Sequence, residues 1–435
     1  MMSDWPEYQL KDLISIKHGF AYKGEFFSSE PTSEILVTPG NFSIGGGFKE
    51  DKFKYYNGPI QESYILKPGD LIVTMTDLSK ESDTLGFSAL VPDTKGVRYH
   101  HNQRIGLVDI KNKDLITKDY LYFLLRTNEY RHEVMASSTG TSVKHTSPTK
   151  ILNFSFKLPP IEYQNDVAKR LLSFESKISN NTAMNSILEK IAQRIFKSWF
   201  VDFDPVKANA EGVTFDGLSP EIQSLFPNEF EESELGMIPK DWSASNIGKE
   251  FDVVMGQSPP GSSYNETGEG TLFFQGRRDF GFRYPAERVF TNAPKRLAKA
   301  GDTLLSVRAP VGDVNKALRD CCVGRGVGAL RHKSGCESFT YYASKRLRNI
   351  FDNFDGEGTV FGSINQTELK ALKIIAPSNE VMKKFNEIAT PLDERIKVNT
   401  EQINSLTKIR DKLLPRLISG KITIQKAEEL LEEAS

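Results

Sequence analysis

Apolar residues recur in alternating steps of four and three along two long stretches of the chain, a spacing typical of a coiled coil. In the first stretch the positions are Val167, Leu171, Phe174, Ile178, Asn181, Asn185, Leu188, Ala192, Ile195 and Trp199. Adding 218 to each number gives the second set, which is Phe385, Ala389, Leu392, Ile396, Asn399, Ile403, Leu406, Arg410, Leu413 and Leu417. The pattern predicts two helices of about 40 residues, each about 60 Å long.

The two predicted helices share a polar interruption and a proline at the start. Asn181 and Asn399 are equivalent and lie inside the apolar seam, where a buried Asn costs stability but fixes the register of pairing. One helix is expected to begin after Pro159-Pro160 and the other after Pro377, with Ser378 as its cap. We expect the helices to pair with each other, antiparallel. The alternative is that each packs on its own globular part, although a strict seam repeated with its Asn is unusual for such packing.

The remainder of the chain is duplicated too, with offsets that decrease along the sequence. The matches are Asp4-Trp5 with Asp241-Trp242 (offset 237), 67–75 with 299–307 (232), 102–108 with 324–330 (222), and 140–152 with 358–370 (218). Loops accept insertions and long helices do not, so the falling offsets indicate loops of different length. Strand-like runs such as EILVTPG (34–40) and DTLLSV (302–307) alternate with turn residues in both copies.

These patterns predict an α+β fold with two duplicated α/β units separated by two long helices that form an antiparallel coiled coil. Short helices are expected at 119–135 and 338–352. The predicted boundaries are 1–158 for the first unit, 159–200 for the first long helix, 201–235 for an acidic linker, 236–376 for the second unit, 377–420 for the second long helix and 421–435 for a C-terminal tail.

Composition and charge narrow the class of protein. Of 435 residues 38% are hydrophobic, enough for packed cores. The formal net charge is −1, from 56 basic and 57 acidic residues, which argues mildly against nucleic acid as a partner. However, the acidic excess is confined to 201–235, with 1 basic and 9 acidic residues, whereas 236–376 has 20 basic and 15 acidic residues. A nucleic-acid partner must therefore be judged from local charge.

The cysteines and the apolar runs bear on the compartment. Cys321, Cys322 and Cys336 form no CxxC pair, which favours a reducing cytosol over a disulfide-stabilised secreted fold. The charged start of the chain lacks the apolar core of a signal peptide, and no run of 18 apolar residues occurs. We expect a cytoplasmic protein with no membrane partner.

Enzyme signatures are poor. The glycine-rich segments 324–328 and 356–362 lack a following Lys-Ser/Thr and are predicted to be turns rather than phosphate-binding loops. His100-His101 has no carboxylate or Cys at metal-ligand spacing, so surface or loop histidines are expected rather than metal ligands. No Ser/His/Asp or Cys/His pattern stands out. The chain is predicted to be non-catalytic, with no metal site.

Basic clusters are more informative. Segment 273–288 combines four arginines with Phe280, Phe282 and Tyr284, and Arg can bond guanine edges or phosphates while Gln can read adenine. Solvated surface charge is the alternative for each single residue. The candidate DNA-binding residues are Lys23, Gln103, Arg104, Lys144, His145, Gln275, Arg277, Arg278, Arg283, Arg308 and Arg325.

The duplication, the long helices and several strings resemble the DNA-specificity subunit of type I restriction-modification systems. The strings are GMIPKDW (236–242), FKSWFVDFDPVKANAEG (196–212), LFPNEFEESELG (225–236) and KLLPRLISGKI (412–422). The resemblance covers essentially the whole chain. The strings beside the helices, in the family's central and distal conserved regions, are quite specific, whereas the globular units are not.

This resemblance implies that each globular unit is a target-recognition domain for one half of a bipartite, asymmetric site on double-stranded DNA. The helices would set the gap between half-sites and dock two modification (methyltransferase) subunits, and motor-nuclease restriction subunits would join for cleavage. It also implies that this chain binds no cofactor, with S-adenosylmethionine, ATP and Mg expected on the partner subunits.

Two rival classes remain open. One is an enzyme, a methyltransferase or nuclease fused in one chain, which the absent motifs disfavour. The other is a coiled-coil adaptor that binds only protein.

Overall fold

The computed structural model describes residues 5–50, 52–77, 79, 83–140, 143–355 and 362–432. Contacts divide the chain into a first unit, Met1–Ser179 with Ile403–Ser435, and a second unit, Asn180–Gln402. Each unit contains one globular domain and one half of each long helix. No helix in the described part of the chain is long and apolar enough to cross a membrane.

The first globular domain is built from short strands and four short helices. Its strands are β1 (Glu7–Gln9), β2 (Ile14–His18), β3 (Phe27–Ser28), β4 (Glu34–Val37), β5 (Lys54–Tyr56), β6 (Ile65–Leu66), β7 (Leu71–Thr74), β8 (Thr76–Asp77), β9 (Ser88–Leu90), β10 (Arg98–His101), β11 (Ile105–Ile110), β12 (Lys144–His145) and β13 (Ser155–Lys157). Its helices are α1 (Leu10–Leu13), α2 (Lys118–Leu124), α3 (Asn128–Ser137) and α4 (Pro148–Leu152).

Two sheets form the centre of this domain, a five-stranded sheet in the order β3-β5-β4-β10-β6 and a four-stranded sheet in the order β2-β11-β7-β9. Strands β4 and β10 are parallel, and the other neighbours are antiparallel. The LIVT run of β7 is buried on both faces. Because side chains alternate along a strand, Leu71 and Val73 pack with helices α2 and α3, while Ile72 packs with the five-stranded sheet. The continuous apolar run therefore marks a strand between two cores.

The first long helix, α5 (Ile161–Phe200), leads into the second globular domain. The next helices are α6 (Asp204–Glu211), α7 (Pro220–Gln223), α8 (Ile247–Glu250), α9 (Glu337–Asp355) and α10 (Gln366–Ala371). The strands are β14 (Phe230–Ser233), β15 (Gly236–Pro239), β16 (Ser243–Asn246), β17 (Phe251–Met255), β18 (Tyr264–Asn265), β19 (Thr271–Phe274), β20 (Phe290–Thr291), β21 (Leu297–Ala298), β22 (Thr303–Ser306), β23 (Val314–Lys316), β24 (Cys321–Val323), β25 (Val327–His332) and β26 (Lys373–Ala376).

The second domain repeats the architecture of the first. Its sheets have the orders β18-β20-β19-β24-β21 and β17-β25-β22-β23, and β19 and β24 form the parallel pair. Leu305 of β22 packs with α9, whereas Leu304 packs with the five-stranded sheet. The strand orders match position by position, so the structural duplication predicted from the offsets is confirmed.

The segment 201–235 was predicted to be a linker, and the structure shows that much of it is folded. Helices α6 and α7 and strand β14 lie within it. Val206 and Phe226 are buried in an aromatic cluster with Trp199, and the Trp199 and Phe226 rings meet edge-on at 5.0 Å. The acidic segment is therefore a folded part of the second unit.

The second long helix, α11 (Asn379–Ile418), is followed by α12 (Ile424–Glu432). Helices α5 and α11 both have 40 residues, and their starts and ends differ by the same number (379 − 161 = 418 − 200 = 218). α5 begins directly after Pro160, and the Ser378 hydroxyl accepts a hydrogen bond from Val381 N, so both predicted starts are confirmed.

The two long helices pair with each other in each unit. In the second unit Asn181 contacts Gln402, while Phe196, further along α5, contacts Phe385, which comes earlier in α11. In the first unit the Tyr163 hydroxyl donates to Leu417 O at 2.9 Å. Residue numbers thus rise along one helix as they fall along the other, which confirms the antiparallel pairing.

Amide side chains at seam positions form hydrogen bonds between the two long helices in the second unit. Asn399 Nδ2 donates to Asn185 Oδ1 at 2.9 Å, and Asn181 Nδ2 donates to Gln402 Oε1 at 3.0 Å. Asn181 and Asn399 are both buried. Polar groups buried in an apolar seam favour the register in which they find partners. That Asn181 and Asn399 set this register stays a prediction.

Candidate nucleic-acid interface

Loops that follow three strands of the second domain form an open pocket. Gln275 directly follows β19, Arg308 is the second residue after β22, and Arg325 lies in the turn between β24 and β25. Sheet geometry places these chain segments side by side, because β22 pairs with β25 and β19 pairs with β24. The pocket has a volume of about 510 Å³ and is lined by Ser258, Pro259, Gln275, Gly276, Arg277, Arg308, Ala309, Arg325 and Gly326. We call it the arginine pocket.

Glycines allow the backbones around this pocket to approach closely. Gly324 N donates to Phe274 O at 2.8 Å, and Gly326 N donates to Gln275 O at 3.0 Å. A Cβ at Gly326 would lie 2.7 Å from Gln275 O, too close for any other residue without a backbone shift. The glycine-rich segment 324–328 thus includes the tight turn that was predicted, and it holds Arg325 at the pocket. Residues 356–361 of the other glycine-rich segment lie outside the described residues.

The pocket presents positive charge to solvent. Arg308 and Arg325 are exposed, and neither forms an ion pair with a described residue. Arg277 Nη1 binds Asp313 Oδ2 at 2.6 Å, but its side chain is still 47% exposed. Arg278 is exposed in the same short turn without lining the pocket. Guanidinium groups free to bind outside the protein suit phosphates and guanine edges.

Arg283 does not belong to this surface, and its prediction as a DNA contact is corrected. Its side chain is fully buried, and its guanidinium binds Glu189 of α5 and Asp393 of α11, the latter at 2.8 Å. It also donates to the Tyr342 hydroxyl at 2.7 Å. The density of arginines in 273–288 did not distinguish a buried guanidinium from the exposed ones around it.

Strand pairing identifies the equivalent positions of the first domain. The end of β7 lies opposite the start of β11 in the same way as the end of β22 lies opposite the start of β25. By this pairing Thr76 corresponds to Arg308, and Gln103 corresponds to Arg325. Sequence reasoning missed Thr76 and Ser258, although the offset of 232 that relates Arg308 to Thr76 was available to find the first of them.

The structure brings four of the first-domain candidates together around β8. Gln103 and Arg104 are exposed in the turn between β10 and β11, and Arg104 O accepts a hydrogen bond from Met75 N at 2.9 Å. His145 Nδ1 lies 3.1 Å from Thr76 Oγ1, and β12, which contains Lys144 and His145, pairs with β8. We call Thr76, Gln103, Arg104, Lys144 and His145 the polar edge.

Lys23 is exposed in the loop before β3 and forms an ion pair with Glu25 at 3.6 Å. Among the described residues Lys23 makes no hydrogen bond or ion pair with the polar edge. The structure therefore does not bring Lys23 together with the other four candidates of the first domain.

A buried carboxylate supports the polar edge. Asp77 accepts hydrogen bonds from Ser79 N at 2.7 Å, from Thr84 N at 2.6 Å and from the Thr84 hydroxyl at 2.7 Å. Burial alone would raise the pKa of this carboxyl, but the hydrogen bonds from Thr84 and Ser79 lower it below its usual value. Asp77 therefore remains ionised and holds Ser79 and Thr84, which follow β8, in place.

The histidine pair of β10 is buried rather than at the surface or in a loop, so that expectation was wrong. His100 Nε2 lies 2.6 Å from Glu34 Oε2, and its Nδ1 lies 3.2 Å from the Tyr22 hydroxyl. His101 Nε2 lies 2.8 Å from Ile105 O. Within the described ranges no group of three or more His, Cys, Asp or Glu side chains is arranged to hold a metal ion.

Comparison with known proteins gives consistent matches. A family model for the type I restriction modification DNA specificity domain matches residues 2–190 and 239–408. The putative type I restriction enzyme MjaX specificity subunit of Methanocaldococcus jannaschii is 32% identical over 323 residues, covering 72% of this chain and 70% of that protein. The type I restriction enzyme HindI specificity subunit of Haemophilus influenzae is 25% identical, and the match covers 97% of this chain and 100% of that protein. A crystal structure of the S subunit from M. genitalium has the same fold, with a TM-score of 0.59, 14% identity and coverage of 95% and 96%.

Proposed function

Because the chain belongs to the type I restriction modification DNA specificity family, we propose that each of its globular domains reads one half of a bipartite, asymmetric DNA site. One observation carries this proposal. The same strand order and strand pairing occur twice, and equivalent loop positions carry different polar side chains, such as Arg308 in one domain and Thr76 in the other. Two similar scaffolds with different side chains at one edge suit two different half-sites.

In this proposal the chain is the non-catalytic specificity subunit of a complex that methylates adenine and restricts foreign DNA. Modification subunits bind S-adenosylmethionine and carry out methylation, and motor-nuclease subunits use ATP and Mg. This chain binds none of these cofactors. It is required for both activities because it supplies their choice of sequence.

The long helices are proposed to dock two modification subunits and to set the gap between half-sites. Exposed apolar side chains support a docking role. Met184, Ile187 and Ile191 lie on one side of α5 at helical spacing, and Ile187 is 58% exposed. Val398 of α11 is exposed as well. The matched lengths of α5 and α11 support the role of a spacer.

The test is the methylated motif of a cell that lacks other adenine methylation, with modification subunits supplied and this chain present or omitted. A specificity subunit yields a bipartite motif that disappears without the chain. A coiled-coil adaptor without DNA readout would leave the methylation pattern independent of this chain.

Inserting four residues after Asn185 tests the spacer role. The insertion adds about 6 Å of helix, so the gap between half-sites should lengthen by about one or two base pairs at 3.4 Å per step. A gap that stays unchanged in the insertion variant would contradict the spacer role.

A further inference from the structure

A buried arginine joins a recognition segment of the second domain to both long helices. The Arg283 guanidinium binds Glu189 of α5 and Asp393 of α11, and it lies 4.0 Å from the centre of the Tyr341 ring. Lys345 Nζ binds the other oxygen of Glu189 at 2.6 Å. Two cations thus oppose two carboxylates, so the charges in this buried group are balanced.

Arg283 lies in the middle of segment 277–288, which begins at the arginine pocket. Arg277 lines that pocket and binds Asp313, the residue before β23. Close to Arg283, Gly281 N donates to Asn315 Oδ1 at 3.0 Å, and Arg283 O accepts from Lys316 N at 2.8 Å. The segment is therefore fixed to β23 through its backbone and to the long helices through one side chain.

The first domain has a corresponding arrangement, built with a different arginine. Arg126 Nη1 binds Glu175 of α5 at 2.5 Å, and its guanidinium lies 4.8 Å from the centre of the Tyr122 ring. Arg126 Nε also donates to Gly45 O at 2.6 Å, in the loop after β4. Glu175 and Asp393 are related by the same offset of 218 that relates the helices. Both units thus place a buried guanidinium between a long helix, an aromatic ring and the loop that follows the parallel strand β4 or β19.

Such a group is better suited to fixing geometry than to adding stability. In a buried ion pair the attraction between the charges offsets little more than the free energy needed to desolvate them. Removing one partner leaves an unpaired buried charge, which is strongly destabilising. The guanidinium is planar and can bind two carboxylates in fixed directions at once, which a lysine ammonium does with much less directional definition.

We propose that Arg283 is a positioning residue, which holds segment 277–288 against α5 and α11 so that the arginine pocket keeps the geometry needed to read its half-site. Arg126 has the corresponding role for the loop at Gly45 in the first domain. The proposal rests on the proposed function of the second domain, and it concerns how the reading surface is held rather than which groups touch DNA.

The experiment compares Arg283→Lys with a triple variant, Glu189→Gln/Arg283→Met/Asp393→Asn, which removes the three buried charges of the group and leaves only that of Lys345, whose side chain is 35% exposed and can be solvated. Arg319→Lys is the matched control, because Arg319 pairs with Glu287 at an exposed site. The complete complex is tested on a duplex that carries the methylated motif and on one with the second half-site scrambled. Amide hydrogen exchange of residues 277–288 and the melting temperature are measured on the same samples.

We expect Arg283→Lys and the triple variant to lower affinity for the full motif by about 10- to 100-fold, the range for losing one or two base contacts. Affinity for the scrambled duplex should stay unchanged, and exchange should rise in 277–288 but not in α5. Arg319→Lys should resemble the wild type. If Arg283→Lys fails to fold, the triple variant decides. Wild-type affinity and exchange in a folded variant overturn the proposal.

Arg308→Ala separates this proposal from the proposed function. If Arg308→Ala weakens binding and the Arg283 variants do not, the positioning role alone is wrong. If none of them weakens binding, the reading function of the arginine pocket is wrong. In that case hydrogen exchange still decides whether Arg283 holds the segment.

Discussion

The two globular domains share a strand order but carry different chemistry at equivalent loop ends. In the second domain, Arg308 and Arg325 are exposed and form no ion pair with a described residue. In the first domain, Thr76 Oγ1 is hydrogen-bonded to His145 Nδ1, and the buried Asp77 carboxylate accepts a hydrogen bond from Thr84 N. The sheets determine where these loops lie, whereas the side chains on the loops determine what they can bind.

Segment charges agree with this difference. Residues 236–376 contain 20 basic and 15 acidic residues, whereas residues 1–158 contain 19 of each. Phosphate contacts dominate the salt dependence of DNA binding, because each releases counterions. We therefore expect the second domain to supply more of the charge-dependent affinity, and the first to rely more on neutral hydrogen bonds.

The largest effect is expected from exchanging a whole domain. Replacing residues 1–158 with the equivalent domain of a relative should change one half of the methylated motif completely and leave the other half and the gap intact. The reason is that each domain has its own two sheets and its own loops at the candidate interface. Sequencing the methylome of the hybrid measures this. Changes in both halves would show that the domains do not read independently.

A smaller effect is expected from single substitutions at the equivalent positions. Arg308→Ala should weaken binding by about 1–3 kcal/mol if the side chain reads a base, with relaxed preference in one half-site only. If Arg308 contacts phosphate, affinity should fall for all sequences. The salt slope, which is the slope of log affinity against log salt concentration, should then become shallower by about one.

Thr76→Ala is the matched variant in the other domain. It removes a hydroxyl that lies 3.1 Å from His145 Nδ1 and carries no charge. Its salt slope should therefore equal that of the wild type, and any loss of preference should appear in the other half-site. If Arg308→Ala has the salt slope and the sequence preference of the wild type, the second domain does not supply more of the charge-dependent affinity through Arg308.

Features with a regular sequence period were predictable, and those made by distant contacts were not. The long helices followed from the 3.5-residue period and the constant offset, because both are local properties of the chain. The burial of Arg283 depends on Glu189 and Asp393, which are 94 and 110 residues away. Likewise, His100 is buried because Glu34, 66 residues earlier, lies beside it on the parallel strand. Local composition does not contain such partners.

The last expected effect is on folding rather than on DNA binding, and it concerns the stability of the first domain and its dependence on pH. Asp77 is buried and accepts hydrogen bonds from Thr84 and Ser79, whereas the position equivalent to it by the offset of 232 is Ala309. Asp77→Asn should lower the free energy of unfolding near neutral pH by about 1.5–3 kcal/mol, the range for hydrogen bonds to a charged group. Hydrogen exchange in strand β9 reports on this domain separately from the other.

The sign of the pH dependence follows from the direction of the shift. The folded state holds the pKa of Asp77 below its usual value, so the unfolded chain takes up the proton first as the pH falls. The stabilisation is therefore fully present above the ordinary Asp pKa of about 3.9 and is lost as the pH falls through the lower, folded pKa. The difference in exchange between wild type and Asp77→Asn should be constant near neutral pH and shrink in acid. Asp93→Asn, at an exposed position of the same domain, should show no such difference. If the wild type and Asp77→Asn differ equally at neutral pH and in acid, the ionised carboxylate does not brace the polar edge.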